Sequence, residues 1–586
     1  MTVLRASHAP SCETFDVREI PFSRRRSWLD ISPVVGLHSV REHLHLVSHQ
    51  NGMNAVFVFE VVPDDRRNPL RVDATASVLS WLDGGGGRID AVFESETAIR
   101  LRGRSLALRI ADAAPELTPF TGTYLFRDPI DGSAVFTSYE TGRRYRISPI
   151  SGSLSVRGAE ALGAGERAVT VDGPEWEIVI EEYDAARPPY SPSAPFDDVV
   201  ADVAREFDEY VDRIAAWRTD RSPGVVLAAY VLWSATVSPR GFLERESVLM
   251  SKHWMDKVWS WDHCFNALAL APGLPDEAID QFRVVFDFQD ASGALPDSAT
   301  HSEVLYNFVK PPIHGWALRK MRSALSDPID AGTLREIYTS LARWTGFWLD
   351  SRRVPGHALA HYQHGNDSGW DNSTMFDRDR LIEAPDLAAF LVVQLSVLAD
   401  LADELEIAGE AHRWREECSA MATALAGLWD GDTFIARGAA NGRASKKSSL
   451  LNNLPIIAAP YLQGHQIDAL AHRIESHLTE HGPATQLPET KEYQDDGYWR
   501  GPIWAPSTAL LEDGLRGAGH VPLANTISAR FRRLCERSGF AENFDAKTGV
   551  GLRDRAYTWT ASVYLTFARE AEEREAHSRP PSPSQR

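Results

Sequence analysis

The stretch PDLAAFLVVQLSVLADLADELEI (385–407) repeats apolar residues at the spacing of an α-helix. The stretch EAHRWREECSAMATALAGLW (410–429) shows the same spacing, and Ala408-Gly409 lies between the two. Together they predict a helical hairpin joined by a short turn. This pair favours a helical domain around it.

Helical spacing continues over the chain from Asp197 onward. The stretch DDVVADVAREFDEYVDRIAAW (197–217) has an apolar face, and further helical patterns fall near residues 223–237, 261–270, 275–290, 314–325, 333–350, 466–480, 502–516, 521–537 and 556–574. These make about a dozen helices, and paired helices in such number can close into an α/α barrel. Periodicity alone does not distinguish a closed ring from an open solenoid.

The first 190 residues differ, because short alternating runs replace the helical pattern. Strands are predicted at residues 55–62, 107–112, 145–150, 153–158, 167–173 and 176–183, with turn signals between them. Many short strands with frequent turns predict an antiparallel β-sandwich. The Pro- and Ser-rich segment AARPPYSPSAP (185–195) predicts a linker. We therefore predict a β-sandwich-like domain at residues 1–190, an all-α barrel domain at 191–577 and a disordered tail at 578–586.

Composition and charge argue against several classes of protein. The chain has 586 residues, of which 43% are hydrophobic, as expected of a folded protein with more than one domain. Its 61 Lys and Arg against 81 Asp and Glu give a net charge of −20, which argues against nucleic-acid or anionic-membrane partners. The chain shows no secretory leader pattern and no apolar run of about 18 residues, so we expect a cytoplasmic protein without a membrane span.

The four cysteines, Cys12, Cys264, Cys418 and Cys535, are scattered and form neither a disulfide framework nor a zinc pattern. Cys264 is interpreted as a small core residue. We predict no metal site and no cofactor, and the sequence leaves open whether a structural Ca²⁺ is bound.

Tryptophan is concentrated in the loops of the helical part. Fourteen of the 17 tryptophans follow residue 216, and several adjoin carboxylates in WSWDHCFN (259–266), SGWDNS (368–373) and DDGYWRGPIW (495–504). Sugar rings have apolar C–H faces and polar edges, so aromatic platforms beside carboxylates suit them. One such pair is typical of a core aromatic at a helix end, whereas three loops in one domain favour a site for a small carbohydrate.

Cleavage of a glycosidic bond needs two carboxyl groups, one to protonate the leaving oxygen and one to activate water or attack. The loop candidates in HGNDSGWDNSTMFD (364–377) and FAENFDAKTG (540–549) are Asp367, Asp371, Asp377, Glu542 and Asp545. Asp371 follows Trp370, and an apolar ring beside a carboxyl raises its pKa, which suits an acid. Spacing alone does not choose among the five, and helix capping is an alternative role for Asp371 or Glu542.

Several stretches resemble the inverting glycoside hydrolases of family 63, which include the mannosylglycerate and glucosylglycerate hydrolases. A more distant similarity is to the trehalases of family 37. The matching stretches, in order, are KVWSWDHCFNALAL, DFQDASGALPD, KPPIHGWAL, HGNDSGWDNS, IEAPDLAAFL, SLLNNLPI, GYWRGPIWAPS and AENFDAKTG, and they span about residues 250–565. The resemblance implies an (α/α)6 barrel with the active site at one mouth.

The resemblance also implies roles for single residues. Asp371 takes the place of the general acid and Glu542 that of the general base. Trp261 and Asp262 would bind the sugar in the −1 subsite. Further residues of the site wall would be Gln289, Lys310, Trp370, Asn372, Trp499, Arg500 and Trp504. For Lys310 and Arg500, a structural ion pair is an equally good interpretation.

The predicted function is that of an exo-acting inverting α-glycoside hydrolase, with an α-glucosidase acting on a small glycoside or oligosaccharide preferred. Alternatives in the same class are a trehalase or a glucosylglycerate or mannosylglycerate hydrolase. A hydrolase of hexosylglycerates would need a basic subsite for its anionic aglycone, for which Arg378, Arg380 and Lys491 are candidates. Alternatives of other classes are a sugar epimerase, a polysaccharide lyase, which the acidic charge disfavours, and a non-catalytic sugar-binding protein. The sequence leaves open glucose versus mannose, the linkage and aglycone, the oligomeric state and the role of the N-terminal domain.

Overall fold

The structure, a computed structural model, describes residues 14–62, 70–114, 122–159 and 165–578. The chain divides into two compact units. The sheet unit comprises Met1–Ala216, Ala229–Lys257 and Thr300–Glu303, and the helical unit comprises Trp217–Ala228, Val258–Ala299 and Val304–Arg586. The predicted disordered tail lies outside the described residues except for Ser578, which ends a helix, and Cys12 also lies outside them.

One antiparallel sheet of twelve strands makes up the described β-structure of the first 190 residues. Its strands are β1 (Leu29–Gly36), β2 (Ser39–Ser48), β3 (Asn54–Val62), β4 (Arg71–Ala74), β5 (Leu79–Leu82), β6 (Arg88–Ser95), β7 (Ala98–Arg104), β8 (Ala107–Asp112), β9 (Thr123–Arg127), β10 (Ala134–Ser138), β11 (Arg144–Arg157) and β12 (Ala168–Tyr183). They run in the order β1-β2-β3-β8-β12-β7-β6-β5-β4, and β11, β10 and β9 extend the sheet from β12. The predicted antiparallel strands are confirmed, but they share one hydrogen-bonded sheet where the sequence predicts a two-sheet sandwich.

The difference arises at two long, bent strands. The sequence predicts separate strands at 145–150 and 153–158, yet both belong to β11, whose register shifts between Pro149 and Ser153. Likewise, the runs at 167–173 and 176–183 form the single strand β12, which pairs with β11 on one edge and with both β7 and β8 on the other. A bulge bends a strand without ending it, so turn residues within a long strand look like a hairpin in the sequence.

The sheet unit continues past the predicted boundary at residue 190. The guanidinium carbon of Arg102 in β7 lies 4.3 Å from the Phe196 ring centroid, and Arg102 also pairs with Asp197 at 2.7 Å. These contacts hold the start of helix α1 (Phe196–Ile214) against the sheet. Residue 190 falls in the loop between β12 and α1, whereas the compact units first divide after Ala216.

The remaining described helices are α2 (Val225–Ala235), α3 (His263–Leu270), α4 (Pro275–Arg283), α5 (His314–Ala324), α6 (Ala331–Ser351), α7 (Pro385–Glu404), α8 (Glu410–Ala426), α9 (Gly464–Ser476), α10 (Ala505–Gly517), α11 (Val521–Ser538) and α12 (Thr558–Ser578). Short strands are β13 (Thr236–Val237), β14 (Ser247–Val248), β15 (Val258–Trp259), β16 (Ser298–Ala299), β17 (Val304–Leu305), β18 (Ile382–Glu383), β19 (Arg437–Gly438), β20 (Asn543–Phe544) and β21 (Gly551–Leu552). Short 3-10 helices lie at Phe286–Phe288, Gly365–Ser368, Thr374–Phe376 and Leu450–Tyr461.

Helix α7 lies in the core of the helical unit. The predicted hairpin of α7 and α8 is confirmed, with Gly409 in the left-handed conformation between them. By length and composition α7 could cross a membrane, but 89% of its most apolar window is buried inside the protein, as in a core helix. Helix α5 approaches α7 closely, because a Cβ at Gly315 would lie 2.5 Å from the Gln394 Cα.

Candidate active site

The loop that carries the predicted acid is tightly wound before Asp371. A 3-10 turn leads to Gly369, whose φ is +72°. A Cβ at Gly369 would lie 2.6 Å from the Trp261 ring, and a Cβ at Gly365 would lie 2.0 Å from the Asp371 carbonyl oxygen. Glycine alone fits both positions without displacing its neighbours. The loop therefore brings the predicted acid close to the predicted sugar-binding tryptophan.

The tryptophans of the three predicted loops meet in one cluster. Trp370 stacks on Trp499 with ring centroids 4.7 Å apart, and Trp499 stacks on Trp504 at 3.9 Å. Trp261 lies 6.4 Å from Trp499 and 5.5 Å from Trp559, a residue that the sequence analysis did not single out. All five rings are nearly or fully buried, so they form a rigid aromatic wall.

Local contacts separate the five candidate carboxylates into two groups. Asp367 accepts two backbone hydrogen bonds and pairs with an arginine. Asp377 pairs with one lysine and one arginine, and Asp545 accepts two backbone N–H groups of its own turn. These three stabilise loops. Asp371 and Glu542 differ from them, because both lie close to the hydroxyl of Tyr498.

Tyr498 connects the two carboxyl groups. Its phenol has a pKa raised well above the usual range, first by burial and then by the nearby Glu542, Asp371 and Asp262. Conversely, its nearby hydroxyl lowers the pKa of both Asp371 and Glu542, because an O–H group close to a carboxyl favours the carboxylate form. Since one hydroxyl acts on both groups, Asp371 and Glu542 both lie near Tyr498.

Glu542 is 1% exposed, and within the described part of the chain neither of its carboxyl oxygens makes a well-formed hydrogen bond. Burial raises its pKa to about 8, and the neighbouring Asp554 adds to this rise, while Arg553 and Tyr498 oppose it. A buried carboxyl with free oxygens can accept a proton from a water molecule once it is ionised. Groups that favour its ionised form therefore decide whether it can act as a base.

Asp371 is partly exposed and belongs to a cluster of acids around Lys310. Burial raises the pKa of Asp371, Lys310 opposes the rise, and Asp297 adds to it. The Lys310 ammonium lies 2.9 Å from Asp297 and donates to the Asn366 carbonyl at 3.0 Å. Asp262 is buried nearby, with a pKa raised well above the usual range by burial. Lys310 thus forms an ion pair with Asp297, and this pair lies close to Asp262 and Asp371.

Asn372 and Arg500 join the loop of the acid to the loop of Trp499. The Asn372 amide donates to the Gly497 carbonyl at 3.0 Å and accepts the Trp499 N–H at 3.0 Å. Arg500 donates to the Asn372 carbonyl and pairs with Asp377, both at 2.6 Å. These two residues hold the aromatic wall in register with Asp371.

Gln289 follows the 3-10 helix Phe286–Phe288 and ties its own loop to helix α6. Its amide donates to the carbonyls of Gly293 and Ser340 at 2.9 and 3.0 Å. Its buried carbonyl oxygen has no partner among the described residues. A contact between Gln289 and a sugar therefore stays a prediction.

Within the part of the chain that the structure describes, one group of side chains could hold a metal ion. Ligand atoms of His263, Cys264 and His314 lie within 4.8 Å of one another, and all three residues are buried. Burial lowers the pKa of His263 to about 4 and lowers the pKa of His314 well below its usual range, so both imidazoles are neutral and could act as ligands. The same three buried residues are also compatible with a packed protein core that holds no metal ion. The absence of a metal site therefore stays a prediction.

Several residues of the site were not found from the sequence. Tyr498, Asp297 and Tyr557 lie in or beside the quoted motifs, yet no spacing rule marks them. The pKa of Tyr557 is raised by burial and by Glu542 and Asp262, so Tyr557 lies near both carboxyl groups. A backbone feature that is visible only in the structure marks this region: Tyr498 and Arg553 have φ values of 62° and 60°.

The region that contains the candidate site is similar to known proteins. A family model described as the mannosylglycerate hydrolase MGH1-like glycoside hydrolase domain matches residues 255–560. The mannosylglycerate hydrolase of Rubrobacter radiotolerans is 26% identical over 411 residues, which cover 53% of this chain and 90% of the relative.

Two solved structures have a similar fold. The family 63 mannosylglycerate hydrolase of Thermus thermophilus in complex with glucose has a TM-score of 0.52 and 21% identity, over 58% of this chain and 98% of that chain. A bacterial glucoamylase in complex with acarbose has a TM-score of 0.61 and 11% identity, over 97% of this chain and 96% of that chain. At these identities, the structural likeness shows a shared fold and nothing about the substrate.

Proposed function

Because the chain belongs to the mannosylglycerate hydrolase MGH1-like glycoside hydrolase family and is a glycosidase, we propose that it is an exo-acting, inverting α-glycoside hydrolase. The helical unit would form an (α/α)6 barrel with the site at one mouth, as the likeness to the glucoamylase fold supports. The observation that carries the proposal is the single Tyr498 hydroxyl that acts on both Asp371 and Glu542 beside a wall of tryptophans.

In the proposed reaction, Asp371 gives its proton to the departing glycosidic oxygen. Glu542 in its ionised form takes a proton from a water molecule that attacks the anomeric carbon from the opposite face, so the configuration inverts. This requires about 6.5–9.5 Å between the two carboxyl groups, whereas about 5 Å would suit a retaining enzyme. The partly exposed Asp371 lies on the leaving-group side and the buried Glu542 on the water side.

The preferred substrates are small α-glucosides. A second class, glucosylglycerate or mannosylglycerate, is favoured by the names of the relatives. On the acid side Arg500 and Lys446 both pair with Asp377, and an anionic aglycone could compete with Asp377 for these cations. The three cations suggested by the sequence, Arg378, Arg380 and Lys491, are exposed, and Arg378 donates to the Ala444 carbonyl.

A panel of α-glucosides and hexosylglycerates tests the activity, with release of free sugar as the readout and NMR of the first-formed anomer for the stereochemistry. We expect the β-anomer from an α-glycoside. Release of the α-anomer would contradict the inverting mechanism. No free sugar from any member of the panel would favour the epimerase or the binding protein.

Variants of the two carboxylates test their roles. Asp371→Asn should lower turnover of unactivated glycosides by at least about 10²-fold, and a glycosyl fluoride, which needs no acid, should recover part of the rate. Glu542→Gln should lose both activities. Asp545→Asn, on the same loop as Glu542, is the matched control and should keep activity. Near-normal turnover in either of the first two variants would show that other groups carry the reaction.

A further inference from the structure

Two residues beside Glu542 have an unusual backbone conformation. Tyr498 and Arg553 adopt the left-handed region, with φ of 62° and 60°, which is costly for residues with a side chain. Among the described residues of the helical unit, Glu406 is the other non-glycine residue with positive φ. The Arg553 guanidinium carbon lies 4.9 Å from the Tyr498 ring centroid, so the two unusual residues touch each other. Strained positions of this kind persist where the surrounding contacts fix them.

Three contacts fix the guanidinium of Arg553. It donates to the side-chain oxygen of Asn543, the residue after Glu542, at 2.9 Å. It pairs with Asp496, two residues before Tyr498, at 2.6 Å. With the Tyr498 ring as the third contact, Arg553 joins the loop of the predicted base to the loop that carries the shared hydroxyl.

The charged and titratable groups that act on Glu542 come from two segments, the stretch of residues 553–557 and the loop of Tyr498. Asp554 opposes ionisation of Glu542, and its carbonyl accepts the Glu542 N–H at 2.7 Å. Glu542 in turn raises the pKa of two buried phenols, Tyr498 in another loop and Tyr557 three residues after Asp554. Among the described groups that shift the pKa of Glu542 most, Arg553 is the cation, and it favours the ionised form.

We propose that Arg553 is a positioning residue of the reaction: it fixes the Tyr498 hydroxyl beside Glu542 and, as a nearby cation, favours the carboxylate form of Glu542 that takes a proton from water. This inference rests on the proposed function, in which Glu542 is the general base. Arg553 lies on the water side of the site, so its role differs from recognition of the aglycone on the acid side.

The neighbouring Lys547 offers a matched control. It pairs with Asp495 at 2.8 Å, and its ammonium lies 4.6 Å from the Tyr493 ring centroid. The two bridges therefore link the same two loops with the same kinds of contact. Lys547 is not among the groups that shift the pKa of Glu542 or Tyr498 most.

The test is the pH profile of kcat/KM for hydrolysis of an α-glycosyl fluoride by wild-type protein, Arg553→Gln, Arg553→Lys and Lys547→Gln. Below the pKa of the base, kcat/KM falls tenfold per pH unit. We expect this acidic limb to move up by about 1–3 pH units in Arg553→Gln, because a nearby cation is lost. The limb should move less in Arg553→Lys and stay in place in Lys547→Gln.

Circular dichroism and thermal unfolding identify variants that fail to fold. If Arg553→Gln does not fold, the pH profile of Arg553→Lys is compared with that of the wild-type protein instead. An unmoved limb in folded Arg553→Gln, or an equal shift in Lys547→Gln, would overturn the inference while leaving Glu542 as the base. Full activity of Glu542→Gln, or no hydrolysis by the wild-type protein, would instead overturn the proposed function, and this inference with it.

Discussion

Gly369 shows how one residue places the candidate acid. Its backbone is left-handed and its missing side chain leaves room for the Trp261 ring, which a Cβ would approach to 2.6 Å. Gly369→Ala should therefore displace Trp261 or unwind the loop before Asp371. We expect a loss of about 1–3 kcal/mol in the free energy of unfolding, together with a fall in kcat/KM. Urea unfolding and steady-state kinetics measure the two effects.

Gly356→Ala is a control for Gly369→Ala. Gly356 also has a positive φ, but a Cβ there would meet nothing within 4 Å. This variant should show the conformational cost without the effect on kcat/KM. Equal kinetics in both variants would show that the close approach to Trp261 does not position the acid.

The candidate site was predictable from the sequence in its residue types and less so in its contacts. Tryptophan beside aspartate in three loops, together with the family motifs, predicted which loops meet, and the structure brings their tryptophans into one cluster. Sequence spacing did not choose the catalytic pair among the five candidate carboxylates. Only contacts show that Asp367, Asp377 and Asp545 stabilise loops, because a backbone N–H or a distant cation that pairs with a carboxylate leaves no local pattern.

At the scale of elements, the contact of α5 with α7 depends on Gly315. A Cβ at this position would lie 2.5 Å from the Gln394 Cα, and both helices are buried there. We expect Gly315→Ala to lower the free energy of unfolding by about 1–3 kcal/mol, because the helices must separate. Chemical denaturation measures this change.

Gly346→Ala in α6 is the control for Gly315→Ala. The nearest atom to a Cβ at Gly346 lies 3.7 Å away, so alanine fits. Since alanine favours a helix over glycine by about 1 kcal/mol, this variant should be neutral or more stable. Destabilisation of both variants by the same amount would contradict the idea that close packing against α7 requires glycine.

Helices were easier to predict than strands for a physical reason. The helical period is visible within one segment, and the predicted pair of α7 and α8 follows from the spacing of its own residues. Pairing of strands depends on distant partners. The long strand β12 carries two short apolar runs with Gly173 between them, and only its pairing with β7, β8 and β11 shows that it is one strand.

At the scale of the whole molecule, the net charge of −20 does not predict which charged groups are buried. In the sheet unit, His49 is fully buried and lies 2.7 Å from Asp30 and 3.0 Å from Asp256. Its contact with Asp256 links the end of β2 to the segment Ala229–Lys257, which is distant in sequence. Neither the pairing nor the burial of His49 follows from composition, because no sequence pattern links a histidine to aspartates that are distant along the chain.

This buried histidine predicts a pH dependence of stability. Burial acts to lower the pKa of His49, but hydrogen bonds to Asp256 and Asp30 outweigh it and raise the pKa to about 9, from 6.5 in an unfolded chain. The pairing therefore contributes its full stability below pH 6.5 and loses it as the pH rises toward 9. The difference in unfolding free energy between wild type and His49→Asn should shrink by about 3 kcal/mol over this range. His45, in β2, is the control: burial lowers its pKa, so the same difference for His45→Asn should grow as the pH rises toward 6.5 and not shrink above it. A pH-independent difference for His49→Asn, measured by urea unfolding at pH 6 and pH 9, would show that His49 is neutral in the folded protein and that its two aspartates are held by other means.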